Sequence, residues 1–174
     1  MKRPILIHPD PRLKKLAPPI TDLSDDLRLL ADDMLETMYA APGIGLAAPQ
    51  IGVDTRLIVM DCVKAEGPRR APWPCSTPRS SPKATTRSIY EEGCLSIPDI
   101  YADVERPAEV TVRWIDPNGT EKQETFDGLW ATCLQHEIDH LNGIMFIDYL
   151  TPLRRQLITR KMVKLKKDRA REKA

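Results

Sequence analysis

Leu129-Trp130-Ala131-Thr132-Cys133-Leu134-Gln135-His136-Glu137-Ile138-Asp139-His140-Leu141, closed by Asn142-Gly143, is the stretch on which the reading of this chain turns. Apolar residues at 129, 130, 134, 138 and 141 recur at helical spacing, and Asn142-Gly143 is a C-terminal stop, so the stretch predicts a helix. His136 and His140 stand one turn apart and about 40° apart around the axis, so both imidazoles can reach one ion. Glu137 follows the first histidine directly. This is the H-E-x-x-H arrangement, in which two histidines bind a metal and the glutamate serves as general base on its water. Two histidines can also simply be packed on a helix, but these are two of only three in the chain and they border an apolar face.

A catalytic metal wants a third protein ligand and an open position. No histidine follows His140, and the only later glutamate is Glu172 in a basic tail, so the third ligand must come from upstream. Cys133 shares the helical face, yet its Cα lies about 10.5 Å along the axis from that of His140, too far to share one ion easily. Cys94 is the other candidate, in Glu91-Glu92-Gly93-Cys94-Leu95-Ser96-Ile97-Pro98, where Gly93 permits close backbone approach and Pro98 stiffens the exit. A free cysteine is more often a small buried hydrophobe, and these residues alone leave that reading of Cys94 open.

Working outward, Val110, Val112 and Trp114 alternate with polar residues up to the turn Asp116-Pro117-Asn118-Gly119, and Thr120 to Phe126 returns as an antiparallel hairpin. Arg56 to Cys62 reads as a buried strand, and Gly43 to Gln50 before it as a tight irregular loop rich in Gly and Pro. Ser24 caps a helix of about 15 residues carrying Leu27, Leu30, Met34, Leu35 and Met38 at helical spacing, ending near Pro42-Gly43. After Pro152, Leu153, Leu157, Met162 and Leu165 give a looser helical stripe that fades into charge. Helices mixed with a hairpin sheet argue an α+β fold, with partly antiparallel sheets packed around the metal-binding helix and a C-terminal helix behind. At 174 residues the chain is expected to be one catalytic domain, 1–174, with 152–174 as a basic helical tail.

Net charge is only +1, but it is segregated: the tail from Pro152 carries +8 and the rest −7. No apolar run approaches the roughly 18 residues of a membrane span, and Met1 to Leu13 lacks the pattern of a signal peptide, so a cytoplasmic protein without membrane contact is expected. Cys62, Cys75, Cys94 and Cys133 lack the dense spacing of a disulfide scaffold, and a reducing compartment leaves thiols free to bind metal.

Three segments, Gly43 to Gln50, Glu92 to Ser96 and Gln135 to Leu141, resemble the three signature motifs of the bacterial-type peptide deformylase family, in the right order and at nearly the right separations. The similarity runs from the His8-Pro9-Asp10-Pro11-Arg12-Leu13 start to Phe146-Ile147-Asp148-Tyr149-Leu150. The resemblance implies a hydrolase that removes the N-formyl group from the first methionine of nascent chains and releases formate. It implies Cys94, His136 and His140 as metal ligands, Glu137 as proton shuttle, and the Gln50 side-chain amide and Leu95 backbone N–H as oxyanion donors. It further implies that Ile44, Gly45, Tyr90, Leu129, Thr132 and Cys133 surround the substrate, and that Arg106 pairs with Glu92 and braces the cysteine loop. Thiolate with imidazole suits Zn²⁺ or Fe²⁺, and the resemblance implies Fe²⁺. It also implies that the basic C-terminal helix docks on the ribosome.

The chain departs from the family between Ala71 and Ser88. Members carry an apolar strand ending near Asn-Pro there, whereas this segment has four prolines between Ala71 and Arg87, no acid and no apolar periodicity, a poor strand. Permitted codons for Trp73 to Ser88, read after discarding two bases, yield Ala-Leu-Phe-Asn-Pro-Glu-Val-Ile-Ala-Glu-Gly-Asp-Asp-Glu-Val, an apolar strand with Asn-Pro. A pair of compensating frame shifts in the gene is one reading, a divergent surface loop the other. Two rival functions remain. A zinc endopeptidase shares H-E-x-x-H but needs a downstream third ligand. A ribosome- or nucleic-acid-binding module, with metal only holding the fold, is motivated by the +8 tail.

Overall fold

A computed structural model of the chain describes residues 1–62, 73–82 and 86–172. Among these, helix α1 (Asp25–Ala40) is followed by strands β1 (Gly45–Ala47), β2 (Leu57–Met60), β3 (Trp73–Pro82), β4 (Arg87–Cys94), β5 (Ile97–Pro107), β6 (Val110–Ile115) and β7 (Glu121–Phe126). Helices α2 (Gly128–Leu141) and α3 (Pro152–Glu172) complete the chain. One sheet has the order β1-β2-β3-β6-β7 and the other is the β4-β5 hairpin, both antiparallel throughout. This is the expected α+β fold.

Period-two alternation sorts the side chains of β2 between two helices. Ile58 and Met60 join the cluster that holds Leu134, Ile138 and Leu141 of α2, while Leu57 and Val59 join Met34 and Met38 of α1. A strand covered on both faces reads as a continuous apolar run, as Leu57-Ile58-Val59-Met60 does. Leu134, Ile138 and Leu141 are almost wholly buried, and at roughly 1.5–3 kcal/mol for each such side chain they fix the rotation of α2 about its axis. That rotation aims the histidine face away from the five-stranded sheet. A third cluster, with Leu13, Ile97, Val104, Phe146, Ile158 and Met162, ties the β4-β5 hairpin to α3.

Two local expectations are corrected, and the helical tail is borne out. Gly43 to Gln50 is not irregular throughout: Gly45–Ala47 forms β1, paired Gly45↔Met60, Leu46↔Val59 and Ala47↔Ile58, and Ala48–Ile51 is a 3-10 turn. Backbone bonds supplied by β2 override weak local propensity. The tail is a regular helix of 21 residues, anchored by buried Ile158 and Met162. The proline-rich segment, read as a poor strand, runs as β3 between β2 and β6. Its neighbours explain how. Pro78 falls in the irregularity between Ser76 and Arg79, and Pro82 is the last residue of the strand, positions that require less of a backbone N–H. Positions 71–72 and 83–85 of the anomalous segment lie outside the described residues. Among the described residues no helix is long and apolar enough to cross a membrane.

Candidate active site

Two elements far apart in sequence meet at one point. Cys94 ends β4, where the pairing with β5 is irregular between Gly93 and Cys94, and His136 and His140 project from α2. A Cβ on Gly93 would come within 2.6 Å of the Tyr101 ring, so any larger residue there requires that ring to shift. One donor atom each from Cys94, His136 and His140 lies within 4.8 Å of the others. Cys94 Sγ is 3.2 Å from His140 Nε2, and the two imidazoles stand 4.9 Å apart, nearly perpendicular at 79°. His136 Nδ1 is 2.9 Å from Glu92 Oε2, which leaves its Nε2 for the cluster. Cys133 takes no part. Its sulfur faces the Ile44 carbonyl at 3.9 Å, and a hydrogen bond with Cys62 together with burial holds its thiol well above the usual range, hence neutral.

The donors suit a soft divalent ion. Burial keeps the His140 pKa well below normal, so its ring is neutral with a lone pair to give. Burial alone would lower His136 too, but hydrogen bonds from its ring N–H groups to Cys94 and Glu92 raise it. The anionic groups around the cluster therefore favour positive charge at this point, the charge an ion brings. Glu137 Oε2 is buried and finds no hydrogen-bond partner among the described residues. Burial pushes the Glu137 pKa up to about 7, suited to passing a proton near neutrality.

Glu137 is seated against the backbone of β1. A Cβ on Gly45 would meet Glu137 Oε1 at 2.3 Å and Cys133 Sγ at 2.9 Å. The Gln50 amide, almost wholly buried, has a determined orientation: Oε1 accepts from Ala47 N at 2.8 Å, so Nε2 donates toward Cys94 Sγ at 3.4 Å and Ser96 Oγ at 3.2 Å. Leu95 occupies the β4-β5 turn directly after Cys94. A cleft of about 850 Å³ opens here, and its walls include Ile44, Gly45, Tyr90, Leu129, Thr132 and Cys133 beside Gln50, Cys94, Leu95, His136 and Glu137. Every expected site residue except His140 thus borders the cleft, and His140 lies in the cluster behind it.

The Arg106 pairing is present as a two-pronged bond: Nε donates to Glu92 Oε1 at 2.6 Å and Nη2 to Glu92 Oε2 at 3.0 Å. Burial by itself would raise Glu92 and lower Arg106; their mutual bond, with His136 on Glu92 and Asp139 on Arg106, reverses both. Ser96, Asp139 and Tyr149, all in contact with this machinery, were missed by the sequence reading. Asp139 lies inside the histidine motif, but nothing in its spacing marks it. Among the described residues Cys62, Cys94 and Cys133 are free thiols.

The family model described as polypeptide deformylase matches residues 2–156. The peptide deformylase of Rhizobium meliloti is 53% identical over 167 residues, covering 96% of this chain and 95% of that protein. The crystal structure of a peptide deformylase from Legionella pneumophila superposes with a TM-score of 0.89 at 44% identity, covering 98% of this chain and 99% of the other. A peptide deformylase from Ehrlichia chaffeensis in complex with actinonin superposes at 0.88 with 37% identity, covering 94% and 96%. Matches over nearly the whole length, on a fold that assembles Cys94 with the histidine helix, place this chain in the polypeptide deformylase family.

Proposed function

We propose that this protein hydrolyses the N-formyl group from the first methionine of newly made chains, giving formate and a free amine. The observation that carries this reading is a buried Glu137 oxygen, without a hydrogen-bond partner among the described residues, beside a Cys94/His136/His140 cluster at the wall of an open cleft. Cys94, His136 and His140 would hold one divalent ion, with Fe²⁺ favoured over Zn²⁺ by the family resemblance. When bound, the ion supplies a Lewis acid that acidifies water and polarises the formyl carbonyl.

The protein's own groups do the rest. Glu137 takes a proton from the attacking water on its free Oε2 and passes it to the leaving amine nitrogen, so that one water is consumed for each formate and amine released. Gln50 Nε2–H, held by the Ala47 amide, and the Leu95 backbone N–H donate to the carbonyl oxygen as negative charge develops. The methionine side chain lies among Ile44, Tyr90, Leu129, Thr132 and Cys133, with Gly45 giving room, and the neutral Cys133 thiol serves as apolar wall. Residues 1–174 work as one catalytic unit in the cytoplasm, and the basic α3 brings it to ribosomal RNA near emerging chains.

The test is formate release from a formyl-Met peptide by anaerobically purified, Fe²⁺-loaded protein, with Glu137→Ala and Cys94→Ala as controls. Release that vanishes in Glu137→Ala with the ion retained, and loss of the ion in Cys94→Ala, are expected. An endopeptidase whose third ligand lies downstream would keep its ion in Cys94→Ala, and a structural metal site would give no formate from the intact protein.

A further inference from the structure

We propose that Tyr149, acting through Asp139 and Arg106, is a positioning residue that sets the pose of His136 and so governs how long the centre retains its ion. The proposal rests on the assignment of His136 as a ligand made above.

The route is continuous, and each link is a hydrogen bond. Tyr149 Oη donates to Asp139 Oδ2 at 2.8 Å, and the same oxygen accepts from Arg106 Nη1 at 2.8 Å. Arg106 spends its remaining edge on Glu92, whose Oε2 holds His136 Nδ1 at 2.9 Å. Arg106 is therefore gripped along two edges by carboxylates from different elements, Glu92 on β4 and Asp139 on α2. Its face is covered as well, with the guanidinium carbon 4.8 Å from the centroid of the Tyr149 ring. The Arg106 side chain is only 4% exposed, whereas Tyr149 is 50% exposed and closes the network on the solvent side.

A second observation links the same turn to the same histidine. Tyr149 ends the 3-10 turn Phe146–Tyr149, and Phe146, which starts it, stacks on the His136 ring at 6.2 Å and 24°. One short turn thus touches His136 directly through Phe146 and indirectly through Tyr149. The Tyr149 hydroxyl offsets part of the Asp139 charge. Without it, Asp139 pulls harder on Arg106 Nη1 and turns the fork away from Glu92. Glu92 then loses its fixed plane, and the imidazole loses the partner that fixes its tautomer and angle. Outer partners of metal-ligating histidines typically alter metal affinity by about 10–100-fold.

Tyr149→Phe isolates the hydroxyl, since the ring over Arg106 remains; Asp139→Asn is the stronger variant. Two quantities are read. The first is the rate at which Zn²⁺ leaves the loaded protein into excess chelator. The second, in metal-free protein, is the exchange of the His136 Nδ1 proton with water by NMR. Expected are Zn²⁺ release faster by about 3- to 10-fold in Tyr149→Phe and about 10- to 100-fold in Asp139→Asn, a faster-exchanging His136 proton in both, and unchanged KM for a formyl-Met peptide. Wild-type rates in Tyr149→Phe, or faster release with an unaltered His136 proton, would overturn the proposal. If the wild-type protein binds no Zn²⁺, the ligand assignment fails instead, and the proton measurement still decides the Tyr149 route.

Discussion

Gly45→Ala separates stability from catalysis in this site. Gly45 lies in β1 with ordinary extended pairing to Met60 and has no positive φ, so alanine suits the backbone. The difficulty lies beyond the backbone: the new Cβ would stand 2.3 Å from Glu137 Oε1 and 2.9 Å from Glu137 Cδ and Cys133 Sγ. Ordinary contact begins near 3.4 Å, so the carboxylate must retreat by about 1 Å, a displacement that can cost about 10²-fold in rate. By transition-state arithmetic that is about 2.7 kcal/mol. The atoms that move are side-chain ends, and none belongs to Cys94, His136 or His140. Steady-state formate release, metal content and thermal midpoint should be measured together. Expected are kcat lowered by about 100-fold, a full metal complement and a midpoint within a few degrees of wild type. A kcat within threefold of wild type would refute the claim that Glu137 is confined against β1, and loss of metal would refute the claim that the perturbation stops at the carboxylate.

Further outcomes follow from other residues. Arg106→Leu leaves the Glu92 carboxylate buried without its cation, which should destabilise the fold by about 3–5 kcal/mol in chemical denaturation; a loss under 1 kcal/mol would show that Glu92 finds another partner. Burial would raise Asp148, but Lys14 and the Met145 N–H outweigh it and hold its pKa below the usual 3.8. Its stabilisation is therefore present above 3.8 and lost as pH falls through the lower folded value, and Asp148→Asn should flatten that acid limb of the stability curve. Reversing Arg160, Lys161, Lys164 and Lys167 to glutamate, all exposed on α3, should abolish ribosome co-sedimentation at low salt while formate release from a free peptide stays at wild-type level. Unchanged co-sedimentation would exclude the tail as the docking element. For β3, the bases of the gene decide: if two compensating shifts are present, a chain with the apolar strand restored should gain about 1 kcal/mol per ladder bond recovered from proline, and if none restores the strand, the frame-shift reading is dead.

What the amino-acid order by itself determined is what local periodicity encodes. The α2 helix with His136, Glu137 and His140 one turn apart, the β6-β7 hairpin around Asp116–Gly119, and α1 after Ser24 all follow from spacings within a few residues, because helix and hairpin bonds join near neighbours. Family resemblance extended that to Cys94, Gln50 and the Glu92–Arg106 pair, which spacing alone left open. Tertiary structure decided the rest. The proline-rich segment became a strand because β2 and β6 present unpaired edges to it, whatever its own propensity. Gly45 proved to be clearance for Glu137, and Tyr149 the solvent end of a chain leading to His136, because contacts between α2, β1, β4 and the Phe146–Tyr149 turn depend on how apolar faces dock. Docking is a sum over side chains distant in sequence, and no window of neighbouring residues contains it.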